Sequence, residues 1–117
     1  MSVLIVDDDA SIRRLMRLIL TDAGYDVMEA EDGAKALAII EGAKAPSVLV
    51  LDLNMPVMDG WELFHRLQED HMRPRTIIMT AGQSERTRKE LGAEASLQKP
   101  FGPEDLVEKV DELAHVA

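Results

Sequence analysis

The chain has 117 residues, with 22 Asp and Glu against 13 Lys and Arg, for a formal net charge of −9 at neutral pH. A length near that of one domain, with hydrophobic residues at 46%, supports a single folded unit with its own core and excludes a disordered chain. Cysteine is absent, which excludes disulfide frameworks, thiolate metal sites and cysteine nucleophiles, while the acidic balance repels phosphate backbones and argues against direct nucleic-acid binding.

No apolar run approaches the roughly 20 residues needed to span a bilayer, and no basic leader precedes the first apolar run. The first strand is predicted at residues 3–6 and ends in Asp7-Asp8-Asp9. Ile12, Leu15, Met16, Ile19 and Leu20 then repeat at helical spacing, with Arg13, Arg14 and Arg17 on a solvated opposite face and Gly24 as the stop. Asp9 reads as a cap or first-turn carboxylate of this helix. A second strand at 25–29 precedes a helical stripe of Ala36, Leu37 and Ile40. The third strand, 48–51, is wholly apolar and ends in Asp52.

Asp59 is suited to cap a third helix whose stripe is Gly60, Leu63, Phe64 and Leu67; Trp61 falls off that stripe. A fourth strand at 76–79 ends in Thr80. Residues 84–91 are almost wholly polar, which predicts an abbreviated or mobile fourth helix. A weak fifth strand, 95–98, runs into Lys99-Pro100, and Gly102 and Pro103 open a last helix carrying Leu106, Val107, Val110, Leu113 and Ala114. His65, His71 and His115 lie among charged neighbours and read as surface side chains.

Five strands alternating with five helices, without a linker or repeat, predict an α/β doubly wound parallel sheet. In such sheets ligands bind beyond the carboxyl ends of the strands. Asp7, Asp8, Asp52, Thr80 and Lys99 all stand at those ends. Crowded carboxylates repel one another unless a cation offsets them, and a hard divalent ion with oxygen ligands, such as Mg²⁺, suits the set. Lys99 offers a point charge and Thr80 a hydroxyl for phosphoryl oxygens. A carboxylate nucleophile, a metal, a lysine and a hydroxyl together describe phosphoryl transfer to an aspartate.

Leu4-Ile5-Val6-Asp7-Asp8, the run from Val50 to Gly60 containing Asp52-Leu53-Asn54-Met55-Pro56, Met79-Thr80-Ala81 and Lys99-Pro100-Phe101 resemble the receiver domain of two-component response regulators. The resemblance covers essentially the whole chain, residues 1–117, and is closest to single-domain, chemotaxis-regulator-like receivers. It implies a flavodoxin-like sheet in the order 2-1-3-4-5 flanked by five helices. It also implies that Asp52 is the phospho-acceptor and that Asp8, Asp52 and the backbone carbonyl of Asn54 ligate Mg²⁺, with Mn²⁺ as a substitute. Asp7 would hold a metal-bound water, Thr80 would hydrogen-bond the phosphoryl group, and Lys99, beside a cis peptide to Pro100, would pair with it. The implied partners are a histidine kinase or histidine phosphotransfer protein and a downstream protein target, with cytoplasmic location and no membrane contact.

Two features depart from the family. The aromatic residue usual three positions before the lysine is here Ser96, and residues 81–98 leave little room for a fourth helix. Gly82, two residues after Thr80, leaves water access open, so the phosphoryl group is not expected to be unusually long-lived. Either a complete regulator or one domain of a longer protein is compatible with an end soon after the fifth helix. Two other functions compete. A Mg²⁺-dependent aspartyl-nucleophile phosphatase would want a second carboxylate as general acid where Asn54 stands, and a phosphorylation-independent interaction module is favoured only by Ser96. An EF-hand reading of 52–60 fails on Pro56 and on Val57 at the glycine position.

Overall fold

The computed structural model describes residues 1–42, 45–53 and 59–115. Its strands are β1 (Ser2–Val6), β2 (Asp26–Ala30), β3 (Val48–Asp52), β4 (Arg75–Thr80) and β5 (Ala95–Gln98). They form one sheet in the order β2-β1-β3-β4-β5, every neighbouring pair parallel. The helices are α1 (Ala10–Asp22), α2 (Gly33–Glu41), α3 (Gly60–Glu69), α4 (Ser84–Leu91) and α5 (Pro103–Ala114). This is the predicted doubly wound fold, and each predicted element is present.

The pleat divides the core into two layers. Val3, Ile5, Val50, Ile77 and Met79 face α1 and α5, where they meet Met16, Leu20, Leu106 and Val110. Leu4, Val6, Leu49, Leu51 and Ile78 face the other way, against Ala36, Leu37 and Ile40 of α2 and Leu63, Phe64 and Leu67 of α3. A strand covered on both faces needs apolar residues at every position, and β3 is buried from Val48 through Asp52. Asp52 is therefore the one charge on a strand that is otherwise entirely hydrocarbon.

The caps agree with the residues chosen for them. Asp9 Oδ1 accepts from the backbone N–H groups of Ser11 and Ile12, and Asp59 Oδ1 accepts from Glu62. Gly24 takes a φ of 98° just beyond α1, a left-handed conformation that glycine adopts without strain. Pro103 opens α5 after Gly102, whose N–H donates to Asp105.

Two expectations for α1 need correcting. Leu15 is 58% exposed rather than part of the buried stripe. The buried face centres on Met16 and Leu20, with Ile12 and Ile19 on one flank, and at ~100° per residue Leu15 falls roughly 120° from that centre. Arg13 is not on a solvated face; its side chain is only 15% exposed and turns toward β1 and β2. The fourth helix is indeed abbreviated, with 8 residues, one turn or more shorter than α1 and α5. Ser96 stands opposite Ile78 in the β4–β5 ladder and is half-buried.

Candidate metal and phosphoryl site

β1 and β3 are adjacent, but the connections leaving them run to opposite sides of the sheet, so a crevice opens beyond their carboxyl ends. Asp7 follows β1 directly and Asp52 closes β3. Across this crevice Asp7, Asp8 and Asp52 each offer a carboxylate oxygen, and the three atoms lie within 4.8 Å of one another. Asp7 and Asp52 are buried, whereas Asp8 is exposed at the rim.

Lys99 reaches the pair from the end of β5. Its Nζ lies 3.2 Å from Asp7 Oδ2 and 3.3 Å from Asp52 Oδ2. The backbone places it: the Lys99 N–H donates to the Thr80 carbonyl at 2.7 Å, continuing the β4–β5 ladder one step beyond its last register pair. The Lys99–Pro100 peptide is cis, as the resemblance implies.

Burial raises the Asp7 pKa above the ordinary carboxylate value, and the nearby Asp52 charge pushes the same way, against the Asp9 N–H bond and Lys99, which lower it. Burial works against the charged form of Lys99, but attraction to Asp7 and Asp52 outweighs it and raises the amine's pKa. Three carboxylates and one ammonium thus share the crevice, and a further cation is electrostatically welcome. An all-oxygen set of three carboxylates suits a hard divalent ion such as Mg²⁺ in preference to a soft transition metal.

Thr80 is buried at the end of β4, and its hydroxyl donates to the Gly82 carbonyl at 3.0 Å. A Cβ built on Gly82 would meet nothing within 4 Å, so the side of the site beyond Thr80 is open. Gly60 plays the opposite part. A Cβ there would stand 2.3 Å from the Asp52 carbonyl oxygen and 2.6 Å from Leu53 Cα. Only glycine lets the first turn of α3 lie directly on the chain that leaves Asp52.

Every sequence-predicted site residue among those described is brought to this edge: Asp7, Asp8, Asp52, Thr80 and Lys99. Asn54, expected to lend a carbonyl to the metal, lies outside the described residues. Sequence reasoning missed Arg13, whose Nη1 donates to the Asp7 carbonyl at 2.7 Å. The available signal was its place one turn after the cap Asp9, on the first turns of the helix that leaves the site. His65, His71 and His115 are exposed, as expected, and none belongs to the group of carboxylates.

Comparison with known proteins agrees with this geometry. A family model described as response regulator receiver domain matches residues 3–111. The chain is 40% identical over 111 residues to a probable transcriptional regulator, ycf27, of Porphyridium aerugineum, an alignment covering 92% of this chain and 45% of that protein. It spans about half the length of the curated relatives it matches. Chemotaxis protein CheY4 of Vibrio cholerae superposes with a TM-score of 0.85 at 36% identity, over 96% of this chain and 97% of that one. Response regulator TrrA of Thermotoga maritima, solved in complex with Mg²⁺ and BeF, gives 0.83 at 30% identity over 96% and 97%.

Proposed function

Since the chain belongs to the response regulator receiver family, we propose that it is a phosphorylation-dependent signalling switch with Asp52 as its phospho-acceptor. The observation that carries this reading is the meeting of Asp7, Asp8 and Asp52 within 4.8 Å, with Lys99 spanning two of them. A carboxylate oxygen of Asp52 attacks phosphorus as the P–N bond of a phosphohistidine breaks, and the bond's electron pair leaves with the imidazole. The product is an acyl phosphate, which water can cleave, so the signal resets.

Asp8 and Asp52 would hold Mg²⁺, or Mn²⁺ in its place, with Asn54 lending its carbonyl and Asp7 a bound water. The ion, when present, offsets repulsion between the anionic nucleophile and the anionic donor. Lys99, whose Nζ lies 3.3 Å from Asp52 Oδ2, would pair with a phosphoryl oxygen on that residue. For Thr80 to donate to such an oxygen it must release the Gly82 carbonyl. The modification adds about −1.5 to −2 charges. The turn at 80–82 is the element that this new charge would bias.

The donor is a histidine kinase or histidine phosphotransfer protein. A groove of about 390 Å³ beside Lys99, lined by Ile12, Leu15, Met16, Ile19 and Phe101, supplies an apolar bed for its helix, with Arg14 and Arg17 exposed on the same helix. Receiver domains are signalling regulators rather than enzymes, and here the only chemistry is self-phosphorylation and its reversal. Output passes through a downstream protein in the cytoplasm, with no nucleic-acid or membrane contact of the receiver's own. No helix among the described residues is long and apolar enough to cross a membrane. The receiver unit would take in residues 1–117.

Intact mass after incubation with acetyl phosphate tests the proposal. One labile phosphoryl adduct is expected, requiring both Mg²⁺ and Asp52 and absent from Asp52→Asn. No adduct from acetyl phosphate or from any phosphorylated histidine donor, with Mg²⁺ demonstrably bound, would leave a phosphorylation-independent module instead.

A further inference from the structure

We propose that Arg13 is a positioning residue for the metal site, acting on Asp8 through the peptide group that joins Asp7 to Asp8. This rests on the proposed receiver chemistry and names a residue outside its ligand set. Arg13 Nη1 donates to the Asp7 carbonyl at 2.7 Å, and Nε lies 3.4 Å from Glu29 Oε1 on β2. Arg17 holds the other Glu29 oxygen at 2.8 Å. The Arg13 side chain is 15% exposed and that of Glu29 26%, so this clamp is largely withdrawn from solvent, whereas Arg17 at 53% is its exposed end.

The carbonyl that Arg13 takes is one the sheet leaves over. Register pairing of β1 with both β2 and β3 stops at Val6. The Asp7 N–H still reaches the Ala30 carbonyl at 3.3 Å, but its own carbonyl is beyond both ladders. A backbone acceptor at a buried strand end must find a donor, and Arg13 provides a charged one.

The consequence falls on Asp8. A peptide unit is planar, so fixing the Asp7 oxygen fixes the plane that carries the Asp8 nitrogen and Cα. The Asp7 side chain is pinned separately, by the Asp9 N–H at 2.9 Å and by Lys99. Asp8 is exposed, and no hydrogen bond or ion pair holds its side chain among the described residues. Its direction toward Asp7 and Asp52 is therefore set by its backbone, which Asp7 Oδ1 holds at the Asp8–Asp9 peptide and Arg13 holds at the Asp7–Asp8 peptide. Glu29 steers the guanidinium and compensates its charge, so the effect on a cation is one of geometry more than of repulsion.

The test is Mg²⁺ binding by titration calorimetry on the full chain, with thermal melts alongside, for wild type, Arg13→Ala, Arg13→Lys, Glu29→Gln and Asp8→Asn. Arg13→Ala is expected to weaken Mg²⁺ affinity about tenfold, the lower end of what outer ligand partners contribute. Arg13→Lys, which keeps a charged donor, should recover part of the loss, and Glu29→Gln should show a smaller one. In acetyl phosphate labelling, Arg13→Ala should lose rate at low Mg²⁺ and regain it at saturation, a split that simple destabilisation does not produce. Unchanged Mg²⁺ affinity in Arg13→Ala and Arg13→Lys overturns the inference. If Arg13→Ala fails to fold, Arg13→Lys and Glu29→Gln decide it by the same affinities. Asp8→Asn separates the levels: if it retains full affinity the metal site itself is misassigned, whereas loss in Asp8→Asn with none at Arg13 refutes only the positioning role.

Discussion

Tyr25 is the chain's one tyrosine, which makes its ionisation directly visible by ultraviolet absorbance. Its hydroxyl donates to the Asp111 carboxylate on α5. Burial and then this anionic partner push its pKa up to about 12 from an ordinary 10.0. Alkaline titration should therefore show a midpoint near 12, and Asp111→Asn should bring it back toward 10. Since the folded value is raised, the stability linked to this proton is present in full below pH 10 and is lost as pH rises through 12. At the other end of the molecule, Gly82 offers a second single-residue test. Open space surrounds its Cα, so Gly82→Leu can be accommodated and would stand between solvent and the acyl phosphate. A severalfold longer lifetime of the labelled adduct is expected, followed by mass spectrometry after donor removal. An unchanged lifetime would show that water enters from another side.

Among the elements, α3 is held close to the site by Gly60. Gly60→Ala would drive a methyl group into the Asp52 carbonyl and Leu53 Cα, neither of which is a flexible side-chain end. Overpacking of this kind costs about 1–3 kcal/mol or more. A lowered melting temperature together with slower labelling at Asp52 is expected; loss of stability with unaltered labelling would mean that the helix shifts and the acceptor does not. This contact also marks the boundary of what could be read from sequence. Gly60 was legible as the start of a helical stripe after Asp59, but its closeness to β3 depends on how the chain returns in three dimensions. The strands and helices were legible because a buried parallel sheet demands continuous apolar runs and its helices a 3.6-residue stripe. The site carboxylates, Thr80 and Lys99 were legible because each ends a strand. Arg13 was not, since helical spacing says which side faces the core on average but not that an arginine at its edge bends back to a strand-end carbonyl. Leu15 failed for the converse reason: it satisfies i, i+3 spacing while lying at the margin of the face.

For the whole molecule, three carboxylates crowded at one sheet edge oppose one another, and an ion bound among them would offset that repulsion. A ligand that binds only the folded state stabilises it by RT ln(1 + [L]/Kd), about 2.7 kcal/mol at a hundredfold excess over Kd. Mg²⁺ should therefore raise the melting temperature of the wild type, chelation should reverse the rise, and Asp8→Asn should abolish most of it. Monovalent salt at the same ionic strength is the control, because general screening of a charge of −9 also stabilises. A rise equal to that of the salt control would place the ion's effect on the surface at large and not in the crevice.

The two ends of α4 are held very differently. At its carboxyl end Gly92 adopts a left-handed turn, Ala93 is buried, and Glu94 is gripped by Arg73, which also lies 4.7 Å above the Phe64 ring. At its amino end no side chain caps the helix, Gln83 itself has a positive φ of 52°, and the next turn back is the one that engages Thr80. The carboxyl end of α4 is thus held by a left-handed turn and an ion pair, whereas its amino end, uncapped, is seated by the buried Ser84. Slow exchange of amide protons should accordingly fade along α4 from its Gly92 end toward Ser84. Any event that pulls Thr80 inward would be felt at the Ser84 end of α4, beside the site, while the Gly92 end keeps its place, so a change at one hydroxyl would reshape the surface where that turn meets the helix.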